Sequence, residues 1–398
     1  MTLSKRTPHR PHQIDPSTDA FAPWPKNHLT EQPLDRNRLY DFDFLTLGLT
    51  FILVFLGIIT IYSATYNPEA GSLLTGYCRR QCTWFGISLV IAIGLFIFHY
   101  NFLYQIAYPL YGICLLLLLA VEVAGIQHMG ATRWLSIGSM NVQPSEFAKL
   151  AVILALARYL SNRQLPPPYN LKELLTPVII VALPSILILK QPDLGTAMLI
   201  ILISGVVIFI AGITRGTIIT ISIIALTTAF VGWHFLHDYQ RQRILTFINP
   251  ENDPLGSGYH IAQSKIAIGA GKLFGKGFLK GTQNTLHFLP EQHTDFIFAA
   301  YAEQWGFLGT MILLVLYFAF LFRALNIVME ARDSFGSYLA SGIAAIFFWQ
   351  VTINIGMVSG LLPVVGIPLP LFSYGGTSML TSIALISILL NIHYRKKV

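Results

Sequence analysis

The sequence predicts an all-α polytopic membrane protein of ten transmembrane helices, with a large extracytoplasmic loop between spans 7 and 8. Of its 398 residues, 54% are hydrophobic and 11% are charged, and the mean hydropathy is +0.60. Soluble globular proteins carry about a quarter charged residues, so this chain is too apolar for that class. The net charge of +7 fits cytoplasmic loops and lipid head groups of a membrane protein, and we expect no nucleic-acid partner.

Ten apolar stretches are each long enough to cross a bilayer, which takes about 20 residues of helix. They lie near residues 42–64, 82–100, 103–125, 145–161, 175–190, 195–213, 217–236, 297–323, 336–359 and 374–393. An even number of spans places both termini on one side of the membrane. Basic residues precede the first span and follow the last, which predicts that both termini are cytoplasmic.

Two segments depart from this apolar pattern. Residues 1–41 contain six prolines and charges of both signs, which predicts a disordered cytoplasmic tail before the ten-span domain of residues 42–398. Residues 237–296 form a long polar insert, which the span count places outside the membrane. Between Pro254 and Pro290 this loop has four lysines, Lys265 among them, and no acid. It is suited to an anionic ligand, although the lysines could also merely solvate the surface.

A further outward-facing stretch contains Arg133-Trp134 and then a helix that can begin at Pro144, since the missing N–H of proline is not needed in a first turn. Glu146 and Lys149 are three residues apart and share one face of this helix. Ionised groups are costly near the outer leaflet, so these two side chains should neutralise each other or a ligand. A purely structural ion pair is the alternative.

Three more charged residues are candidate substrate-site residues on the outer face. Asp193 lies in a tight turn between two spans, where capping the next helix explains it equally well. Arg241 and Arg243 follow the seventh span and could hold a phosphate with bidentate geometry. Anchoring at the membrane interface is the alternative for both arginines.

The stretch of residues 354–378 contains three prolines and several glycines, which prevent one continuous helix. Irregular backbone at membrane depth persists only against protein or a water-filled cavity. We therefore expect this stretch to line a site. The glycine-rich run of residues 269–277 lacks the spacing of a P-loop, and neither zinc-ligand spacing nor a Ser-His-Asp pattern is recognisable.

Taken together, these stretches resemble the SEDS family (shape, elongation, division and sporulation), membrane enzymes that polymerise peptidoglycan glycan strands from lipid II. The resemblance runs from about Asp41 to the C-terminus. It is carried most specifically by residues 354–378, by Arg133-Trp134 with residues 143–149, and by residues 290–296.

Residues 256–260 and 280–283 resemble the RodA or elongation branch of that family more than the FtsW or division branch. Two positions depart from the RodA-like pattern. The chain has Gly271-Lys272 where two glycines are usual, and Glu303-Gln304 where two glutamates are usual. The first departure adds a positive charge, and the second leaves Glu303 as the only acid at that place.

The resemblance implies that Asp295 is the essential catalytic residue and that Glu146, Lys149, Arg133 and Asp193 are functionally important. It also implies a divalent cation, Mg²⁺ or Mn²⁺, and a class B penicillin-binding transpeptidase as partner within the elongation machinery. The expected location is the bacterial cytoplasmic (inner) membrane, among its lipids.

The implied reaction is attack by the 4-hydroxyl of one lipid-linked GlcNAc on the anomeric carbon of MurNAc at the growing end. Undecaprenyl diphosphate leaves, and the configuration inverts. We predict Asp295 as the base, although its carboxylate could equally hold the metal, and we expect positive charge around the diphosphate. The candidates for this charge are Arg133, Lys149, Arg241, Arg243 and the loop lysines.

His293 lies two residues before Asp295 and is expected to be a structural hydrogen-bonding residue rather than a second proton carrier. Two other functions are alternatives to the enzyme. A lipid II flippase would use broken helices and intramembrane charges, and a non-catalytic scaffold of the elongation machinery would need neither. The informative residues cluster on the outer side, which favours the enzyme.

Overall fold

The computed structural model describes residues 42–66, 75–128, 131–137, 140–162, 167–232, 234, 241, 245–249, 253, 256–281 and 291–396. The predicted tail of residues 1–41 lies outside this part, as do Arg243 and much of the predicted outer loop.

The described part of the chain is mainly helical, and each predicted span overlaps one helix. The helices are α1 Phe44–Ala64, α2 Gly76–Ile97, α3 Tyr100–Ala124, α4 Pro144–Ser161, α5 Leu175–Lys190, α6 Leu194–Ile210, α7 Arg215–Gly232, α8 Ser257–Ala270, α9 Ile297–Glu330, α10 Ser334–Val358 and α11 Gly376–Tyr394. A 3₁₀ turn, Leu171–Leu174, leads into α5. The helix α8 lies in the predicted outer loop.

Eight of the described helices are long and apolar enough to cross a membrane, and the protein is therefore a multi-pass membrane protein. The helix α6 is apolar but shorter, and α4 carries the charged residues Glu146, Lys149 and Arg158. The count of ten spans and the outer placement of the loop stay predictions.

A small antiparallel sheet connects α3 to α4, and the sequence analysis did not predict it. Its strands are β1 Ile126–His128, β2 Ala131–Ile137 and β3 Met140–Val142, in the order β1-β2-β3. Trp134 of β2 lies opposite Ile126 and Leu135 lies opposite Val142. Aromatic and branched side chains at these positions favour strand geometry.

The core is formed around α10 and α11. In the most apolar 18-residue stretch of each helix, 78% of the residues of α10 and 89% of those of α11 are buried. The helix α11 packs on α2, whereas α10 packs on α9, α4 and α6. Small residues permit close packing here, because a side chain on Gly342 would meet Ile153 at 2.4 Å. By contrast, α7 lies at the periphery with 6% of its span buried.

The long helix α9 is interrupted at Gly306, where φ is 63° and ψ is −162°. A break at membrane depth leaves backbone groups that lipid cannot satisfy. Residues 271–281 supply the missing partners through four hydrogen bonds of 2.8–3.1 Å. The amides of Lys276 and Gly277 donate to the carbonyls of Glu303 and Gln304, and the amides of Phe307 and Leu308 donate to the carbonyls of Lys272 and Leu273.

This contact also accounts for the glycine pattern of the segment. A side chain on Gly271 would meet the Ala302 carbonyl at 2.1 Å, and one on Gly275 would meet the Gln304 carbonyl at the same distance. Lys272 has φ of 49°, a region where glycine avoids the steric cost that other residues carry. The backbone conformation at residue 272 therefore explains why the RodA-like pattern described above has a glycine there.

Candidate active site

Asp295 lies in the turn of residues 291–296, directly before α9, and its side chain is partly exposed. Three successive backbone carbonyls of this turn accept hydrogen bonds from α10 and from the segment that follows it. His293 O accepts from Tyr374 N at 2.9 Å, Thr294 O from Ser373 Oγ at 2.7 Å, and Asp295 O from Asn354 Nδ2 at 2.9 Å. All three donors are neutral amide or hydroxyl groups, and all three acceptors are backbone carbonyls.

The irregular segment of residues 359–375 also approaches the Asp295 side chain. Gly366 adopts φ of 72°, and a Cβ atom built there would lie 3.4 Å from Asp295 Oδ2. Asn354 Nδ2 makes a second hydrogen bond, of 2.8 Å, to the carbonyl of Ile367. The structure thus places the broken stretch against the predicted catalytic acid, as expected for a segment that lines a site.

Glu146 and Lys149 form an ion pair of 2.7 Å between Oε1 and Nζ, with side chains 7% and 2% exposed. The helix that holds them begins at Pro144, where the sequence predicts its start. The i, i+3 spacing brings the two side chains together on one face. Their charges neutralise each other without a ligand. This arrangement corresponds to the purely structural ion pair that the sequence also allows.

Arg133 and Asp193, predicted from separate stretches, lie together. The Arg133 guanidinium donates to the carbonyls of Gln191, at 3.4 Å, and of Pro192, and its Nη1 lies 3.9 Å from Asp193 Oδ1. The Asp193 carboxylate accepts from Thr196 N at 3.2 Å and Thr196 Oγ1 at 2.9 Å, so it caps α6. Arg133 fastens the small sheet to this turn, and its side chain stays 25% exposed.

The start of α6 packs on the segment of residues 359–375, which lies beside Asp295. A Cβ atom on Gly195 would lie 2.6 Å from the carbonyl oxygen of Val365, the residue before Gly366. The Arg133–Asp193 pair is therefore linked to Asp295 through two close backbone approaches, although these residues are far apart in the sequence.

Lys265 projects from α8 over the start of the same segment. A side chain on Gly360, where φ is 73°, would meet Lys265 Nζ at 2.6 Å. On the preceding residue, Ser264 Oγ donates to the carbonyl of Val358, which fastens α8 to the end of α10. Lys265 itself is exposed, so its charge lies at the surface of the site region.

The remaining loop cations have different surroundings. Arg241 Nη2 donates to the carbonyl of His234 at 2.6 Å, a residue just before the loop, and Arg243 lies outside the described residues. Lys276 forms an ion pair of 2.7 Å with Glu303, whose side chain is fully buried. The sequence analysis noted Glu303 as the only acid there but did not predict this pairing, because 27 residues separate the partners.

His293 packs its ring against Tyr77 and Tyr374, with centroid distances of 4.4 and 5.6 Å. Burial lowers the pKa of His293 below its usual value, while Glu291 acts weakly in the opposite direction. These ring contacts are structural, and the hydrogen-bonding role expected for His293 stays a prediction. The ring contacts to Tyr77 were not predicted, because no local pattern connects α2 with this turn.

A divalent cation would need oxygen ligands near the diphosphate. Within the described ranges, no group of three or more His, Cys, Asp or Glu side chains is arranged to hold a metal ion. Mg²⁺ in phosphate chemistry commonly uses one or two carboxylates and completes its shell with phosphate oxygens and water. Such a site needs no preformed cluster, and Asp295 is the carboxylate that would fit it.

Comparison with known proteins assigns the family. Residues 43–398 match the family model described as cell cycle protein FtsW/RodA/SpoVE. The chain belongs to the FtsW/RodA/SpoVE family. It is 43% identical over 372 residues to peptidoglycan glycosyltransferase MrdB of Escherichia coli K12, covering 93% of this chain and 98% of that relative. It is 32% identical over 428 residues to peptidoglycan glycosyltransferase RodA of Treponema pallidum, covering 89% and 98%.

Solved members of this family share the fold. A chain of a structure described as the structural coordination of polymerization and crosslinking by a peptidoglycan synthase complex has a TM-score of 0.77 and 32% identity, covering 89% of this chain and 98% of that chain. The rod shape determining protein RodA of Thermus thermophilus has a TM-score of 0.67 and 29% identity, with coverage of 90% and 98%. The resemblance drawn from the sequence motifs is confirmed.

Proposed function

We propose that this protein polymerises lipid II into glycan strands at the outer face of the bacterial cytoplasmic membrane during cell elongation, with Asp295 as the general base. The class of activity follows from the family. The chain is a peptidoglycan glycosyltransferase, because close relatives over nearly its whole length carry that name. The substrate, the side of the membrane and the residue roles are proposals, as is the cytoplasmic position of both termini.

The role proposed for Asp295 rests on three hydrogen bonds that hold its turn in place, which we call the brace. Neutral donors fix the carbonyls of residues 293–295, which positions the carboxylate without adding a positive charge to the frame. A general base must be held within hydrogen-bonding reach of the proton that it removes. Here that proton belongs to the 4-hydroxyl of the acceptor sugar, whose oxygen attacks the anomeric carbon of the donor.

The leaving diphosphate requires positive charge on the opposite side of the donor sugar. Lys265 supports this role best, because it is exposed and lies over Gly360 of the segment that approaches Asp295. Arg133 is partly exposed and connected to the same segment. Lys149 is buried against Glu146, so it would reach a diphosphate only if that pair opened.

A divalent cation, Mg²⁺ or Mn²⁺, would supply further charge neutralisation at the diphosphate, with Asp295 as its possible protein ligand in place of the base role. We also propose a class B penicillin-binding transpeptidase of the elongation machinery as partner. The likeness to a chain of a peptidoglycan synthase complex supports this partner. The flippase and scaffold alternatives leave the braced carboxylate without a use.

The decisive experiment compares Asp295→Asn with Glu291→Gln, a matched loss of one charge in the same turn. Each variant is purified with and without a co-expressed class B partner and supplied with fluorescent lipid II and Mg²⁺ or Mn²⁺. We expect Asp295→Asn to lose at least about 100-fold in polymerisation rate, the lower range for a general base. Glu291→Gln should keep most of the activity.

Two outcomes would contradict the proposal. Polymer formation by folded Asp295→Asn at the unchanged rate would remove Asp295 from the mechanism. If no form makes polymer while the unchanged protein moves lipid II across liposome membranes, the flippase alternative replaces the enzyme. Adding EDTA to the unchanged protein tests the cation, since polymerisation should stop and return with excess Mg²⁺ or Mn²⁺.

A further inference from the structure

Three rings meet beside the turn that carries Asp295. The centroid of His293 lies 4.4 Å from that of Tyr77 and 5.6 Å from that of Tyr374, and the two tyrosines meet edge to face at 5.1 Å. They come from the start of α2, from the turn before α9 and from the end of the segment of residues 359–375. We call Tyr77, His293 and Tyr374 the aromatic corner.

The aromatic corner is held rigidly to the catalytic turn. Tyr374 N donates to the carbonyl of His293, so one backbone contact joins two of its members. Gln81, one turn after Tyr77 on α2, donates to the carbonyl of Ser373 at 3.1 Å and accepts from Gly375 N at 3.2 Å. The start of α2 and the end of the irregular segment are therefore fixed to each other on both sides of Tyr374.

The corner lies close to Asp295 and is partly exposed. His293 lies two residues before Asp295, which limits the distance between their Cα atoms to about 7 Å. Tyr77 remains 41% exposed despite its two ring partners, so part of its surface is available to a ligand. An aromatic cluster with one partly exposed ring thus adjoins the turn of the acid, in an enzyme whose substrates are sugars.

The chemistry of the substrate fits such a surface. A pyranose ring has a face of C–H groups that packs on an aromatic ring, while its hydroxyl and amide groups point outward to hydrogen-bond partners. Tyrosine provides a large apolar surface with a polar end, and binding sites commonly combine apolar walls with a few convergent polar groups.

We propose that the aromatic corner is a saccharide subsite, in which the exposed surface of Tyr77 packs on the N-acetylhexosamine ring that is held beside Asp295. This inference rests on the proposed function and adds a sugar-binding surface to it. The sugar belongs either to the incoming lipid II or to the growing strand, and the same ring face is presented by both.

Tyrosines are also common at membrane interfaces, where they anchor helices to the head-group region. The chain offers a matched control for that explanation. Tyr66, beyond the end of α1, is 40% exposed and contacts the ring of Tyr62 at 5.6 Å. An anchoring role would make Tyr66 and Tyr77 equivalent, whereas a saccharide subsite would make Tyr77 alone important for substrate.

The test measures binding and catalysis separately for Tyr77→Leu, Tyr77→Phe and Tyr66→Leu. Loss of the ring should raise KM for lipid II, or shorten the strands, by about tenfold, which corresponds to about 1.4 kcal/mol. A raised KM assigns the subsite to incoming lipid II, and shorter strands at unchanged KM assign it to the growing strand. Tyr77→Phe keeps the ring and should retain most of the binding that Tyr77→Leu loses. Tyr66→Leu should behave like the unchanged protein.

Binding of fluorescent lipid II in the Asp295→Asn background, with and without Tyr77→Leu, keeps the two proposals distinguishable. Full polymerisation by Asp295→Asn would overturn the proposed catalytic role, whatever Tyr77→Leu does to binding. The subsite is overturned if Tyr77→Leu matches Tyr66→Leu, if Tyr77→Phe is as impaired as Tyr77→Leu, or if only kcat falls. Should Tyr77→Leu not fold, Tyr77→Trp decides, since a wider ring should bind at least as tightly and a tenfold weaker Kd overturns the subsite.

Discussion

The acidic residues at the two ends of α9 are held by different kinds of contact. Before its first residue, the turn of Asp295 is fixed through backbone carbonyls by neutral donors. Near its last residues, side chains are joined as ions. Arg323 donates to Asp43 at 2.8 Å, and Glu330 Oε2 lies 2.7 Å from Lys396 Nζ.

This difference separates a positioned acid from a structural one. At the C-terminal end of α9 the carboxylate oxygens themselves make the contacts, so neutralising the acid removes the contact. At the N-terminal end three hydrogen bonds are accepted by backbone carbonyls, so these three persist when the Asp295 charge is removed. The comparison predicts loss of activity without loss of fold at one end, and the reverse at the other.

The largest effect short of changing Asp295 itself should follow removal of its brace. Asn354 is fully buried and donates to the carbonyls of Asp295 and Ile367. In Asn354→Leu the turn loses one fixed point, and a shift of about 1 Å at a reacting group can lower the rate by roughly 100-fold. We expect kcat for polymerisation, per folded protein, to fall about 10- to 100-fold.

Asn391→Leu is the matched control for this variant. Asn391 is equally buried and donates to the carbonyls of Leu95, Phe96 and Phe98 at the end of α2. It should lose thermal stability but retain kcat. Equal losses of kcat in both variants would mean that any buried amide supports activity, and the special position of Asn354 would be refuted.

Asp43→Asn should show the opposite pattern. The Asp43 side chain is 2% exposed and that of Arg323 is 23% exposed, so the variant leaves a largely buried guanidinium without its charge partner. Unpaired groups of this kind cost about 1–3 kcal/mol. We expect a lower unfolding temperature in detergent with unchanged kcat.

The double variant Asp43→Leu/Arg323→Met checks the cause of that loss. Replacing both charges by apolar groups should recover much of the stability, because buried pairs can often be exchanged in this way. If the double variant is less stable than Asp43→Asn, helix capping by Asp43 rather than its ion pair provides the stability, since Asp43 also accepts from Thr46 N.

The sequence predicted those parts of the molecule that local patterns encode. Apolar runs located the helices, and i, i+3 spacing located the Glu146–Lys149 pair. Boundaries shifted where a helix extends beyond its apolar part. The helix α2 begins at Gly76 rather than near residue 82, because its polar first turn, with Arg79 and Arg80, contributes nothing to the apolar pattern.

Contacts between distant segments could not be predicted in this way. The meeting of Arg133 with Asp193, of Lys276 with Glu303 and of Tyr77 with His293 depends on helix packing, which no local periodicity encodes. Asp295 was identified through a resemblance, whereas its brace by Asn354 emerged from the fold. Candidate site residues could therefore be predicted from the sequence, whereas the tertiary structure shows which of them lie together.

The smallest effect is expected for Lys396→Ala at the C-terminal end of α9. Glu330 is 42% exposed and Lys396 is 22% exposed, and pairs of this exposure contribute about 0–1 kcal/mol. The unfolding temperature should fall by less than in Asp43→Asn, and the difference from the unchanged protein should vanish at about 1 M salt, where charges are screened within about 3 Å. A loss as large as that of Asp43→Asn, persisting in high salt, would show that burial does not rank the ion pairs at this end. The contrast between the two ends of α9 would then depend on the number of charges rather than on their exposure.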